Sequence, residues 1–117
     1  MKNYKNSYNL FVTNSKKKVL SGETLSITWR ITQLKKIDNI LDKYRLKIIN
    51  SLHLDLGKSK IEALAEILLI KEEISLVKNK LKYWMQPKKI KTPFYLFPSS
   101  SKVIYEPLGC VLIIGPY

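Results

Sequence analysis

The carboxyl-terminal stretch from Glu106 to Tyr117 constrains the fold of this chain more than any other part of the sequence. Within it, Cys110 to Ile114 form an unbroken apolar run that glycine and proline residues flank on both sides. A short apolar run between such turn residues is typical of a strand that is buried on both faces, as in a parallel α/β sheet. Ligands of open α/β sheets bind beyond the carboxyl ends of the strands, where Gly115, Pro116 and Tyr117 follow the run.

A strand of this kind needs neighbouring strands to bury it, and the sequence ends directly after the apolar run. We therefore expect these 117 residues to be the front part of a larger protein. Hydrophobic residues make up 45% of the chain and charged residues 26%, which is ordinary for a globular protein and does not predict disorder.

Apolar periodicity predicts two helical stretches in the first half of the chain. Residues 4–21 are predicted to form an amphipathic helix whose apolar side consists of Tyr8, Phe11, Val12, Val19 and Leu20. Ser21-Gly22 ends that helix because glycine readily takes the left-handed position past a helix. Thr24 is the expected cap of the next helix. Apolar residues recur along this helix at steps of three or four, which is typical of a helix face that packs into a core. A kink is expected near Asp42. The apolar stripe consists of Ile27, Ile31, Leu34, Ile37, Leu41, Tyr44, Ile48 and Leu52.

A helix junction follows at residues 55–59. Gly57 supplies the turn, and Ser59 with Glu62 forms a capping box that begins another long helix, up to about residue 85. Gly57-Lys58-Ser59 also matches the end of a phosphate-binding loop, but such a loop needs a glycine where this chain has Leu52, so we reject that interpretation. The apolar stripe of the long helix consists of Ile67, Ile70, Ile74, Val77, Leu81 and Trp84.

Two short β-type runs follow the long helix. Pro87 ends the helix, and residues 88–91 read as a basic linker. Phe94 to Phe97 and Val103 to Tyr105 are rich in aromatic and branched residues and are separated by a proline- and serine-rich turn. We predict that the two runs pair as antiparallel strands.

The net charge of +12 raises the question of a nucleic-acid partner. Nucleic-acid surfaces normally cluster arginine and lysine with aromatic or hydrogen-bonding side chains. Here the arginines are only Arg30 and Arg45, and the lysines are spread along the chain. Because arginine is the residue best suited to bidentate phosphate and base contacts, we favour a fragment separated from its acidic remainder.

Cysteine and histidine usage predicts neither a disulfide nor a metal site. Cys110 has no second cysteine to pair with, and it falls in the apolar run, where we expect it to be buried and inert. His53 has no ligand-type partner at a suitable spacing, so no metal-binding residue is predicted. The amino terminus lacks the apolar core of a signal peptide, and we expect a cytoplasmic protein.

Three separated strings resemble the class 3-like branch of the NAD(P)-dependent aldehyde dehydrogenases. The first is Glu-Pro-Leu-Gly-x-Val-Leu-Ile-Ile-Gly-Pro-Tyr at residues 106–117. The second is Asp-Leu-Gly-Lys-Ser-x-x-Glu-Ala at residues 55–63. The third begins Leu-x-x-Trp-Met-x-Pro at residue 81 and continues Lys-Lys-x-Lys-Thr-Pro. Together the strings identify the chain as similar to the amino-terminal part of such an enzyme.

The resemblance implies an α/β fold of which this segment is the mainly helical beginning. Three to four helices in residues 1–90 would form the helical part of the cofactor-binding domain. Residues 91–107 would be an antiparallel strand pair of the oligomerisation sheet. Residues 108–117 would be the first strand of the Rossmann-like domain.

The resemblance also implies where the cofactor lies. Ile114, Gly115, Pro116 and Tyr117 match the family residues that line the nicotinamide–ribose part of the NAD or NADP crevice, although the family usually has tryptophan where this chain has Tyr117. In the family an asparagine that helps hold the oxyanion follows this aromatic residue. The nucleophilic cysteine and the general-base glutamate lie far downstream. No catalytic residue is therefore assigned in this chain, and we expect it to be inactive alone.

The function implied by the resemblance is oxidation of aldehydes to carboxylic acids with NAD(P). The full-length enzyme is expected to bind an aldehyde substrate, to form a homodimer and not to bind nucleic acid, and peripheral membrane association is left open. The alternative from another class is a basic helical module whose lysines contact nucleic acid or an anionic surface. A steep loss of binding with added salt is the property that distinguishes this alternative.

Overall fold

The computed structural model describes the backbone of residues 4–115 and the side chains of residues 8–115. In chain order the elements are α1 Tyr4–Leu20, α2 Ile27–Lys43, α3 Arg45–Leu56, α4 Lys60–Trp84, β1 Lys88–Ile90 and β2 Ser101–Val103. A mainly helical chain followed by an antiparallel strand pair is thus confirmed. None of the helices in the described range is both long and apolar enough to cross a bilayer.

The chain separates into two compact units. Residues 30–84 form the helical unit, and the described parts of residues 1–29 and 85–117 form the flanking unit. The division into residues 1–90, 91–107 and 108–117 that the resemblance implies stays a prediction, because compactness within this chain does not test how the chain is divided in a longer enzyme.

The connection between α1 and α2 contains a second turn that the sequence pattern did not reveal. Gly22 ends α1 in the left-handed conformation with φ of 77°, as expected. Residues Glu23–Leu25 then form a 3₁₀ turn that includes Thr24, the predicted cap. Instead, the Ser26 hydroxyl oxygen accepts a hydrogen bond from the Trp29 amide at 3.4 Å. Ser26 has the extended backbone that a helix cap requires, so the prediction for Thr24 was wrong.

The long apolar stripe is divided between two helices. The backbone leaves helical geometry at Tyr44, with φ of −106° and ψ of 12°, two residues beyond the expected kink at Asp42. The break changes which side chain of α3 faces inward. Ile49, outside the stripe, is buried, whereas Ile48 and Leu52 are partly buried against the same core.

The core of the helical unit lies where α2, α3 and α4 meet. Its partly buried members are Leu34, Ile48, Leu52 and Leu64, and its buried members are Leu41, Ile49, Ala63, Ile67 and Ile74. Leu81 is the other buried apolar residue of α4. Ile70 and Trp84, although on the predicted stripe, are exposed. A narrower face of α4 is therefore buried than the sequence predicted.

The junction between α3 and α4 has the predicted geometry. Gly57 has φ of 64° and donates its amide hydrogen bond to the His53 carbonyl at 2.9 Å. The Ser59 amide donates to the Glu62 carboxylate at 2.8 Å, and the Glu62 amide donates to the Ser59 hydroxyl at 3.2 Å. These reciprocal bonds satisfy amides that the first turn of a helix leaves without partners, so the capping box is confirmed.

The antiparallel pair is present, but both strands lie earlier than predicted. The second strand was expected at Val103 to Tyr105, whereas β2 ends at Val103. The residues expected to be a linker form β1, and Lys88, Lys89 and Ile90 pair with Val103, Lys102 and Ser101 of β2. The predicted strand from Phe94 to Phe97 was wrong, because Phe94–Leu96 is a 3₁₀ turn. The Leu96 amide donates to the Pro93 carbonyl at 3.0 Å, so this segment satisfies its hydrogen bonds locally.

The apolar run from Cys110 to Ile114 does not form a strand within the described residues. Ladder hydrogen bonds need a neighbouring strand, and the two strands of the described chain pair with each other. The run is exposed as a consequence, including Cys110, which was expected to be buried. The exposure of the run agrees with the expectation that its neighbours would have to come from further polypeptide, whereas the burial expected for Cys110 is not observed within the described residues.

Candidate functional site

The predicted cofactor-binding residues lie at the end of the described chain. Ile114 is 83% exposed, and a Cβ atom added to Gly115 would meet nothing within 4 Å. Pro116 and Tyr117 lie outside the described residues. The assignment of these four residues to a cofactor crevice stays a prediction, and the two that are described present an open backbone and an exposed side chain.

An apolar cleft of about 660 Å³ lies directly before these residues in the flanking unit. On one side it is lined by α1, and on the other by the apolar run; the lining residues are Tyr8, Phe11, Val12, Lys16, Cys110, Val111 and Leu112. The sequence marked Tyr8, Phe11 and Val12 as an apolar side but carried no signal for the segment that they face.

Gly109 allows the apolar run to approach α1. Its φ is 93°, in the region that favours glycine, and an added Cβ atom would lie 4.0 Å from the Val19 side chain. The residues that line the cleft include the Cys110 thiol and the Lys16 ammonium group but no carboxylate or imidazole. The cleft can therefore shelter apolar surface, but its lining contains no acid–base pair.

A charged cluster joins α2 to α4 in the helical unit. The Lys71 ammonium lies 2.8 Å from the Asp38 carboxylate and 2.6 Å from the Asp42 carboxylate. Arg45 pairs with Asp42 at 2.9 Å, and Lys78 lies 3.8 Å from Asp38. The sequence did not predict this cluster, because its partners come from helices that are distant along the chain.

The pKa shifts in this cluster indicate a structural role. The hydrogen bond from Lys71, followed by that from Arg45, lowers the pKa of Asp42. The hydrogen bonds to Asp38 and then Asp42 raise the pKa of Lys71. Both shifts favour the charged forms at neutral pH, whereas a general acid or base works best with a pKa near the operating pH.

The Gly57-Lys58-Ser59 segment is engaged in the helix junction. Lys58 forms an ion pair with Glu66, and the Lys58 carbonyl oxygen lies 2.9 Å from His53 Nδ1. The backbone and side-chain hydrogen bonds from Ser59 lower the pKa of Glu62. These contacts hold helix ends together. Within residues 8–115 no group of histidine, cysteine or acidic side chains is arranged to hold a metal ion.

Comparison with known proteins assigns the family. The model of the aldehyde dehydrogenase family matches residues 3–117. The chain belongs to the aldehyde dehydrogenase family. The resemblance to the aldehyde dehydrogenases is thereby confirmed.

The relatives of this aldehyde dehydrogenase chain include members of family 3. Aldehyde dehydrogenase family 3 member H1 of Arabidopsis thaliana is 39% identical over 107 residues, which cover 91% of this chain and 22% of the relative. The 4,4'-diaponeurosporen-aldehyde dehydrogenase of Staphylococcus aureus is 42% identical over 96 residues, which cover 81% of this chain and 21% of that protein. The resemblance to the class 3-like branch is confirmed by these relatives.

A solved structure of an aldehyde dehydrogenase has a fold similar to that of this chain. The substrate-bound state of Staphylococcus aureus AldH matches with a TM-score of 0.75 and 36% identity over 81% of this chain and 21% of that chain. The aldehyde dehydrogenase chain thus spans about a fifth of the length of the relatives that it matches.

Proposed function

We propose that this chain supplies the amino-terminal part of an aldehyde dehydrogenase that oxidises aldehydes to carboxylic acids with NAD or NADP. The observation that carries the proposal is the family match over residues 3–117, which includes the predicted end of the cofactor strand. The similarity of its backbone to that of Staphylococcus aureus AldH, with a TM-score of 0.75, supports the same position in the fold.

The part played by the helical unit is structural. Its packed core is accompanied by the Lys71 ion pairs, and the hydrogen bonds of that cluster lower the pKa of Asp42 and raise the pKa of Lys71, which favours their charged forms. In the proposed enzyme this unit is a scaffold for the cofactor-binding domain. The strand pair β1–β2 is proposed to contribute to the homodimer contact of the full-length enzyme.

The cofactor role falls on residues 114–117. The backbone at Gly115 suits a group that must approach the chain closely, because glycine has no Cβ atom and an added Cβ would meet no described atom within 4 Å beyond the chain neighbours. When bound, NAD or NADP would supply the hydride acceptor for the oxidation. Ile114 and Gly115, with Pro116 and Tyr117, would form one wall of its crevice, while the groups that react with the aldehyde come from elsewhere in the enzyme.

A chimeric enzyme tests the proposal. The segment of the Staphylococcus aureus 4,4'-diaponeurosporen-aldehyde dehydrogenase that aligns with this chain is replaced by residues 3–117. We expect the chimera to retain aldehyde-dependent reduction of NAD or NADP, measured by the absorbance of the reduced cofactor. As a matched pair, Ile67→Asp in the chimera should abolish folding and activity, whereas Ile61→Asp at an exposed position should not. A stably folded chimera without aldehyde oxidation would contradict the proposal.

The isolated chain provides a second test. Because no catalytic residue is assigned within it, the purified chain should form no reduced cofactor when mixed with an aldehyde and NAD or NADP. Reduction that depends on the aldehyde, and that persists after repurification of the chain, would show that our assignment of the catalytic groups to other parts of the enzyme is wrong.

A further inference from the structure

Five charged side chains of the helical unit form one continuous network of ion pairs. Lys71 is its centre, because its ammonium lies 2.8 Å from the Asp38 carboxylate and 2.6 Å from the Asp42 carboxylate. The network continues from Asp42 to Arg45 at 2.9 Å and from Asp38 to Lys78 at 3.8 Å. We call these five residues the Lys71 network. All of them belong to residues 30–84, so the network consists of contacts inside one compact unit.

The network lies beside the break between α2 and α3. Asp38 and Asp42 lie one turn apart on α2, so both carboxylates reach the same ammonium of α4. Arg45 is the first residue of α3, and its pair with Asp42 crosses Tyr44, where the backbone leaves helical geometry. Lys71 therefore joins α2 to α4 directly before the break.

α2 has fewer apolar anchors than the helix to which Lys71 joins it. Leu41 is its buried side chain, and Leu34 is partly buried against the same core. Burial of apolar surface is the main stabilising contribution in folding, so the core holds α2 less firmly than α4. The attachment of α2 therefore depends more on charged contacts. The buried side chains of α4 are Ala63, Ile67, Ile74 and Leu81.

We propose that the Lys71 network is a latch that holds α2 against α4, and that α2 opens separately from α3 and α4 with Tyr44 as the hinge. Without the Lys71 ammonium, Asp38 and Asp42 would be like charges four residues apart, which destabilise a helix. The Asp38 Oδ1 atom is shielded from solvent, so water would not replace the lost cation. The inference does not depend on the proposed aldehyde oxidation.

The alternative is that these ion pairs contribute nothing measurable, as is true of many pairs on protein surfaces. Two observations favour a contribution. The side chains of Lys71 and Asp38 are 26% and 28% exposed, so their pair is partly sheltered from the screening that weakens fully exposed pairs. One ammonium also contacts two carboxylates, so ordering a single lysine side chain gives two attractive contacts.

Hydrogen exchange of the whole chain, resolved by mass spectrometry, tests whether α2 opens separately. Amides of α2 should be less protected than amides of α4 around Ile67. Their exchange should also depend less on added urea, because a partial opening exposes less surface than unfolding of the whole unit. Equal protection and equal urea dependence in the two helices would mean that the unit opens only as a whole, which would refute the hinge. This test needs no substitution.

Lys71→Met tests the charge, because methionine is a good helix former with a long side chain. Lys80→Met is the matched control, since Lys80 is exposed on α4 and its substitution removes one charge from the same helix. Amides of α2 should exchange at least about threefold faster in Lys71→Met, as expected for the loss of two modest ion pairs, and should change little in Lys80→Met. Equal changes in the two variants would point to net charge alone and refute the latch.

The double substitution of Asp38→Asn and Asp42→Asn tests the partners of Lys71. In that background Lys71→Met should have little further effect on exchange, because the ammonium no longer has a carboxylate to hold. Lys71→Arg in the original chain keeps the positive charge and should leave α2 protected. An undiminished effect of Lys71→Met in the doubly substituted chain would show that its side chain acts through packing, and would overturn the proposal.

Discussion

Single residues at the junction between α3 and α4 have roles that are defined by backbone geometry. Gly57 takes a left-handed conformation, and Ser59 and Glu62 exchange hydrogen bonds across the first turn of α4. Their effects are local, since each acts on residues that are neighbours in sequence. Substitutions of Gly57, Ser59 or Glu62 therefore change the stability of the helix ends without altering the packed core.

Gly57→Ala should destabilise the chain by about 1 to 2 kcal/mol, the cost of a left-handed conformation for a residue with a Cβ atom. No atom lies within 4 Å of that added Cβ, so backbone strain is the only cost. Gly57→Asn should lose less, because asparagine tolerates this conformation better than alanine. Urea denaturation followed by circular dichroism measures both. Equal losses would show that backbone conformation is not the cause.

Glu62→Gln should lower the free energy of unfolding at neutral pH. It should also make the free energy of unfolding less sensitive to a fall in pH. The hydrogen bonds from Ser59 lower the pKa of Glu62 below its ordinary value of 4.5. The charged carboxylate therefore contributes stability that is fully present above that pH and is lost as the pH falls through the lowered pKa. The difference between the two proteins should shrink below about pH 4.5. Glu73→Gln, at an exposed position of the same helix, should change the free energy of unfolding at neutral pH less than Glu62→Gln does.

At the scale of elements, α4 organises the helical unit. One face of it enters the core through Ala63, Ile67 and Ile74, and the Lys71 ammonium on the same helix pairs with Asp38 and Asp42 of α2. Leu81 is also buried and Leu64 and Val77 are partly buried, whereas other apolar side chains of α4, such as Ile61 and Leu69, are exposed. Apolar periodicity alone did not distinguish the two groups, because burial depends on where α2 and α3 lie.

Ile67→Ala should destabilise the helical unit by about 2 to 4 kcal/mol, from lost burial and the cavity that remains. Ile67 is 2% exposed, whereas Ile61 on the same helix is 81% exposed. Ile61→Ala makes the same chemical change without opening a cavity and should have little effect on the free energy of unfolding. Similar losses in the two variants, measured by urea denaturation, would contradict the assigned core.

At the scale of the whole molecule, the chain exposes more apolar surface than a soluble monomer normally does. Leu108 and the side chains of Val111 to Ile114 are exposed, as are many apolar residues of the helices. Large exposed patches mark surfaces that other polypeptide or lipid covers. The coverage of about a fifth of the relatives agrees with the proposal that further protein covers this surface in the enzyme.

The purified chain should self-associate as its concentration rises, because association buries the exposed apolar run. Analytical ultracentrifugation over a range of concentrations measures this. Ile113→Ser should reduce self-association, whereas Leu54→Ser, at a similarly exposed position of α3, should reduce it less. A chain that stays monomeric at all concentrations would contradict the role that we assign to the apolar run.

The sequence by itself determined the family, the helices and the helix junction. Capping by Ser59 and Glu62 and the turn at Gly57 depend on hydrogen bonds between near neighbours, so their signals are local. The three strings that resemble the family lie at the α3–α4 junction, at the end of α4 and at the apolar run. Each string is continuous in sequence, so it can be recognised without coordinates.

Only the tertiary structure decided which surfaces meet. Three features depend on contacts between different helices or strands. They are the pairing of Lys89 with Lys102, the full burial of Ile49 where Ile48 is only partly buried, and the Lys71 ion pairs. The apolar run makes the same point, because the strand predicted for it does not form without a neighbouring strand. A strand exists only with a hydrogen-bonded neighbour, and the identity of that neighbour is not encoded in the residues of the run itself.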